Sequence, residues 1–151
     1  MPVTVHGIDE LKALAGTDLG HTGWLEITQE RVNAFAAATG DHQWIHTDPV
    51  RAAAGPFGAT IAHGHLTLSL IIPLSNELLE INGISMSVNY GLDRVRFPSP
   101  VRVGSKIRLG GVVDAVEEVP GGVQLRLTFT VEVDGSDKPA CVAQAVHRHY
   151  A

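Results

Sequence analysis

Apolar residues alternate with polar ones without a break at Val123, Leu125, Leu127, Phe129, Val131 and Val133, the pattern of a strand with one buried face. Less regular alternation runs over Ile84 to Phe97, Lys106 to Glu118 and Ala140 to His149, with Val119-Pro120-Gly121-Gly122 and Asp134-Gly135-Ser136-Asp137 as turns. The phase changes at Gly110-Gly111, which predicts a β-bulge there. A different pattern fills the middle of the chain. From His63 to Glu80, Leu66, Leu68, Leu70, Ile71, Ile72 and Leu74 cover nearly every side of a helix, so a helix of roughly 18 residues should be wrapped on most sides. Pro73 predicts a bend in it, or its end.

The first third of the chain reads as short elements. Residues 7 to 15 suggest a small amphipathic helix, with Gly16 and Gly20 breaking the chain before a strand over His21 to Ile27. Thr28 is placed to cap a second helix that carries Val32, Phe35 and Ala36 on one face, Ile27 to staple against Val32, and Gly40 to end it. Asp41 therefore falls just beyond a helix end. From there to Thr60 the chain is turn-rich: Asp48-Pro49 can start a short helix through Ala54, and Gly55-Pro56-Phe57-Gly58 breaks it. The whole is an α+β arrangement in one domain, with four or five antiparallel strands enclosing one apolar helix.

Composition narrows the function. At 151 residues, a chain can bury about two-thirds of its unfolded surface. With 44% hydrophobic and 18% charged residues it has the make-up of an ordinary globular protein. A formal charge of -5 argues against nucleic acid as a partner, because phosphate binding draws on many Lys and Arg contacts. The single cysteine, Cys141, has no intrachain partner, and no signal-like segment opens the chain, which points to the reducing cytoplasm. The apolar stretch from Leu66 to Leu74 is far short of the roughly 20 residues that span a bilayer, so no membrane insertion is expected.

The densest chemical signal is Thr39-Gly40-Asp41-His42-Gln43-Trp44-Ile45-His46-Thr47-Asp48-Pro49, followed by Gly64 within Ala62-His63-Gly64-His65. Asp41 and His46 join a carboxylate and an imidazole, two groups that both exist in proton-accepting form near neutral pH. Such a pair could hold one water and exchange protons with it. Gly64 stands near the start of the predicted central helix, where a backbone N–H combines a hydrogen bond with the favourable end of the helix dipole. Taken singly, each has a plainer reading: Asp41 as a turn cap and Gly64 as a packing glycine.

Together these strings resemble the MaoC-like family of (R)-specific enoyl-CoA hydratases and 3-hydroxyacyl-thioester dehydratases. That family's motif is an Asp followed five residues later by a His, then a His-Gly opening the central helix. Gly55 to Leu70, Asn89-Tyr90-Gly91 and Val95-Arg96-Phe97 look like its nodulation-protein-N branch, and the resemblance covers about residues 25 to 149. It implies a hot-dog fold, with the helix as sausage and the sheet as bun. It also implies catalytic Asp41 and His46, the Gly64 amide as oxyanion donor, and reversible addition of water to a trans-2-enoyl thioester. The substrate is then an acyl-CoA or another acyl thioester, no cofactor is required beyond the coenzyme A of the substrate itself, and a homodimer is expected. Gln43-Trp44 departs from the commoner Asn-Pro of the motif. The rivals are a hot-dog acyl-CoA thioesterase and a non-catalytic acyl-thioester-binding module.

The remaining histidines and the basic residues have simpler readings. His42 and His46 have HxxxH spacing, but the turn-forming residues around them argue for a loop, where that spacing does not converge on a metal. His63 could cap the central helix, with His65 packed or facing solvent. His147 and His149 share one face of a terminal strand and read as surface residues. Arg94, Arg96, Arg102, Lys106 and Arg108 could attract coenzyme A phosphates, but the preferred reading is the solvent face of two strands.

Overall fold

The computed structural model describes residues 2–151. Strand β1 (Val3–His6) and helix α1 (Gly7–Lys12) are followed by two short strands, β2 (Asp18–His21) and β3 (Leu25–Glu26). Helix α2 (Gln29–Thr39) begins where expected. The Thr28 side chain accepts from the Arg31 amide, and Gly40, at φ 83, closes the helix with its own amide on the Ala36 carbonyl. Two short helices come next, α3 (Trp44–Thr47) and α4 (Pro49–Ala53), the latter capped by Asp48.

The central helix α5 (Gly64–Ser75) is shorter than the apolar pattern predicts, ending two residues beyond Pro73. Leu79–Asn82, read as its tail or the linker after it, forms strand β4, which pairs in parallel with β1. That pairing joins segments about 75 residues apart, so no local pattern announces it.

Four long antiparallel strands follow, β5 (Met86–Arg96), β6 (Lys106–Val119), β7 (Gly122–Val133) and β8 (Cys141–Tyr150). The large sheet runs β2-β6-β7-β8-β5, with β3 also paired to β6. The strand expected over His21 to Ile27 is thus split: Thr22 bridges to Leu109 through both backbone and side chain, between β2 and β3. The bulge expected at Gly110-Gly111 is absent from the β6–β7 ladder, where Gly110 faces Thr130 and Gly111 faces Phe129 in regular register. The shift lies at Asp114 instead. Those glycines serve packing: a Cβ on Gly111 would meet the Phe129 ring at 3.1 Å, and one on Gly110 the His21 ring at 3.0 Å.

Helix α5 lies against the β6–β7–β8 face. Val123, Leu125, Leu127, Phe129 and Val131 are all buried on β7, and they meet Leu66, Leu70, Ile71 and Leu74 of the helix in one core. Each such side chain contributes about 1.5–3 kcal/mol relative to exposure. The helix is not enclosed on every side, however. Ile72 is 38% exposed and Leu68 only partly buried, so one stripe of α5 is uncovered within this chain. No helix among the described residues is long and apolar enough to cross a membrane.

On β8, Cys141, Ala143 and Ala145 point into the core, and desolvation pushes the Cys141 thiol up to about 11, leaving it unreactive. His147 and His149 continue the same alternation. They are not the surface residues expected: His149 is 5% exposed, and its Nδ1 lies 2.8 Å from the Ser87 hydroxyl. Burial lowers both imidazoles, His149 to about 4, with His147 nearby adding to the effect on His149.

This has a measurable consequence for stability. Between about pH 6.5 and about pH 4 the unfolded chain takes up a proton at His149 that the folded protein refuses, so stability falls as pH drops through that window. Urea unfolding at a series of pH values should show the decline, and His149→Asn should flatten it. An unchanged slope in the variant would show that the loss comes from other groups.

Candidate active site

Three short segments build the site. α2 ends at Gly40 and delivers Asp41; α3 carries His46; the chain returning through Thr60 to His63 runs into the first residue of α5, Gly64. The segment expected to be loop throughout is helical at Trp44–Thr47, while His42 stays outside that turn and exposed, so His42 and His46 do not form a helical pair. Backbone bonding zips the segments together, with the Ile61 amide on the Ile45 carbonyl at 2.9 Å.

His46 is buried, at 7% exposure, and its Nδ1 sits 2.8 Å from the Ile61 carbonyl. A carbonyl only accepts, so Nδ1 carries the proton and Nε2 keeps a lone pair. Behind it, Gln29 of α2 donates through Nε2 to the His46 carbonyl at 2.8 Å and accepts at Oε1 from the Thr60 hydroxyl at 2.7 Å. One side chain therefore ties together the two segments that flank the site.

His63 occupies the cap position of α5, but its side chain makes no capping bond. Its Nε2 donates to the Asp41 backbone carbonyl at 3.0 Å, and its ring stacks on His46 with centroids 3.9 Å apart and planes 22° from parallel. Phe35 of α2 packs on the ring's other neighbourhood, at 4.8 Å between centroids. Asp41 remains exposed at the rim. Its carboxylate and one nitrogen each of His46 and His63 all lie within 4.8 Å of one another.

That trio is the one place among the described residues where side chains could gather round a metal ion. The ring geometry disfavours chelation by both imidazoles. Stacked rings direct their in-plane lone pairs side by side rather than to a common point, and each already has one nitrogen bonded to a carbonyl.

His46 and Gly64 line a common pocket of about 350 Å³, walled by Ile61, Thr67, Phe97 and Val101. Being the first residue of α5, Gly64 has no carbonyl behind it within the helix, and no other acceptor for its N–H is found among the described residues. A Cβ here would sit tightly, 3.3 Å from three carbons of the Phe97 ring, which would have to give way by a few tenths of an ångström.

Asp41 is thus brought beside His46, and His46 shares the pocket with Gly64, although 23 positions separate Asp41 from Gly64 and Asp41 itself does not line that pocket. Gln29 and His63 are the residues that sequence reasoning missed. Gln29 carries no motif signal, whereas His63 stands beside Gly64 and was read only as a cap. Trp44 of the variant pair does not line the pocket; its ring carries the Arg51 guanidinium at 4.4 Å and abuts Gly55. The basic cluster is dispersed. Arg108 bonds Glu132 at 2.6 Å, holding that carboxyl below its ordinary value, and Arg102 donates to the Phe57 carbonyl at 2.7 Å.

Comparison with known proteins agrees with the overall architecture. The family model described as MaoC like domain matches residues 10–133. The 3-hydroxyacyl-thioester dehydratase Z of Mycobacterium tuberculosis is 52% identical over 98% of this chain and 99% of its own length. Nodulation protein N of Rhizobium leguminosarum bv. viciae is 45% identical over 85% of this chain and 81% of its own. Among solved structures, the R-hydratase PhaJ1 of Pseudomonas aeruginosa superposes with a TM-score of 0.74 at 26% identity, covering 93% of this chain and 83% of that one. With its hot-dog architecture of an antiparallel sheet laid around α5, the chain belongs to the MaoC-like family.

Proposed function

We infer that this protein is a hydro-lyase that adds water to a trans-2-enoyl thioester, and removes it from the (3R)-3-hydroxyacyl thioester, at Asp41 and His46. The observation that carries the reading is the meeting of an accepting His46 Nε2 and an unpaired Gly64 N–H on one pocket. The dehydratase and R-hydratase names of the relatives support it.

In the hydration direction, one water sits between the Asp41 carboxylate and His46 Nε2. As that pair takes a proton, the water oxygen bonds to the β-carbon and the C=C electron pair moves toward the thioester, whose oxygen gathers negative charge. The Gly64 amide and the α5 dipole stabilise that charge. Protonation of the α-carbon completes the addition, so one H–OH is consumed and nothing is oxidised or reduced. No metal or redox cofactor is needed on this reading; coenzyme A enters as part of the substrate. Action in the cytoplasm fits the same picture.

A homodimer belongs to this proposal. Strand β5 pairs only with β8; Met86, Tyr90 and Leu92 are exposed on it, and Leu92 shares a hollow with the uncovered Ile72 of α5. An unpaired, apolar edge strand is a template for a second copy. Light scattering should show a dimer, and Leu92→Asp should shift it toward monomer. A wild-type monomer at micromolar concentration would remove this part.

Crotonyl-CoA tests the chemistry. Loss of enoyl absorbance without free thiol is expected, whereas released thiol would mean hydrolysis and binding without turnover would mean a carrier. Asp41→Asn and His46→Gln should each lower kcat/KM by on the order of 10²–10⁴; two variants as active as wild type would sink the mechanism. Gln29→Ala, which leaves the buried Thr60 hydroxyl unpaired, should cost about 1–3 kcal/mol of stability. It should also lower kcat about tenfold more than it changes KM, because it loosens the backbone segment that carries His46. Equal effects on kcat and KM would mark Gln29 as merely structural.

A further inference from the structure

Helix α5 buries five side chains; four are the hydrocarbons Leu66, Leu70, Ile71 and Leu74, and the fifth is the hydroxyl-bearing Thr67, 3% exposed. A buried hydroxyl ordinarily finds an acceptor, and in a helix the nearest is a carbonyl of the preceding turn. The other hydroxyls of this helix use one: Ser69 donates to the His65 carbonyl and Ser75 to that of Ile72, both at 2.7 Å. Thr67 does not. The carbonyl four residues before it, that of His63, already accepts from the Leu66 and Thr67 amides at 3.0 and 3.2 Å, which occupies both of its lone pairs. Thr67 Oγ1 thus makes no hydrogen bond among the described residues, although it sits on the apolar face of the central helix.

That hydroxyl is not sealed in. The fully buried side-chain nitrogens and oxygens without a partner among the described residues are His63 Nδ1 and His147 Nε2. Thr67 Oγ1 is not one of them, so the little surface that Thr67 keeps includes its oxygen. The hollow it lines is the pocket that holds His46 and Gly64. Thr67 stands three residues after Gly64 on the same side of α5, and helical side chains lean toward the N-terminus, so this one reaches back over the first turn. Positions so spaced are about 5–6 Å apart, which lets the Gly64 N–H and the Thr67 O–H converge on one oxygen atom. Nothing else in the pocket competes for that role. The Ser99 hydroxyl already donates to the Lys138 and Pro139 carbonyls, His46 Nε2 carries no proton, and no Lys or Arg lines the pocket among the described residues. Phe57, Phe97, Pro98, Pro100 and Val101 make the walls apolar, where a fixed donor acts more strongly than in water.

We propose that the Thr67 O–H is a second donor to the thioester oxygen, forming with the Gly64 N–H a two-point cradle for the charge that gathers there. The proposal rests on the hydratase reading and adds a catalytic residue to it. The hydrogen bond strengthens as the oxygen becomes negative, so the contribution of Thr67 falls on kcat rather than on KM.

The test pairs Thr67→Val, which removes the hydroxyl at nearly constant size, with Thr67→Ser, which keeps it. On crotonyl-CoA, Thr67→Val should lower kcat on the order of 10²-fold with KM changed less than about threefold, and Thr67→Ser should recover most of the loss. Thr67→Val should melt close to wild type, because the hydroxyl bonds nothing within the fold. Full kcat in Thr67→Val, equal losses in Thr67→Val and Thr67→Ser, or a Thr67→Val protein that does not fold would each overturn the proposal, the last by showing that the hydroxyl has a structural partner. A second readout needs no turnover: butyryl-CoA, labelled with carbon-13 at the thioester carbonyl, has no C=C to hydrate. Its carbonyl stretch in infrared difference spectra should move to lower frequency on wild type and Thr67→Ser, and less on Thr67→Val; equal shifts on all three would sink the idea. Failure to hydrate crotonyl-CoA, with the Thr67-dependent shift intact, would count against the hydratase reading alone. Hydration with wild-type kinetics in Thr67→Val would count only against the second donor.

Discussion

A twelve-residue helix with Leu66, Leu70, Ile71 and Leu74 buried on one side needs an apolar surface to lie on, and the alternating faces of β6, β7 and β8 provide it. That one packing constraint places most of the molecule. Seating α5 on the sheet fixes where its N-terminus emerges, and the chain leading into it, Thr60 to His63, must then run beside α3. The β5 edge lies alongside the uncovered stripe of the same helix, so the apolar face that gives the fold its core also runs out to its boundary.

The site inherits its order from backbone bonds rather than from ion pairs. Ile61 uses both of its peptide groups, the amide on Ile45 and the carbonyl on His46 Nδ1. Gln29 and His63 add two further ties, to the His46 and Asp41 carbonyls. Each of these fixes a carbonyl, a group unaffected by pH near neutrality, so the arrangement around the proton-exchanging residues does not itself loosen when they change charge.

Legibility in the sequence followed the range of the interactions. β7 could be read nearly to the residue because an unbroken period of two reflects one buried face, and Thr28 and Gly40 were legible because capping is local. The family resemblance drew Asp41, His46 and Gly64 together, although their spacing alone would not have done so. What escaped depended on distant partners. The end of α5 was placed too late because β4 exists through β1, and Gly110-Gly111 was read as a backbone irregularity when the two lie close against the His21 and Phe129 rings. His147 and His149 were misplaced despite an available signal: they have the same parity as Cys141, Ala143 and Ala145, whose small or apolar side chains already identified the inward face.

One detail of α5 links the site to the thermodynamics of the whole protein. With the His63 ring turned onto Asp41 and His46, the helix begins without a capping side chain, a deficit of about 1 kcal/mol relative to Ser or Asp. On the hydratase reading the thioester oxygen is the missing cap. The ligand then completes the secondary structure it binds to, and occupancy and helix stability become two aspects of a single equilibrium.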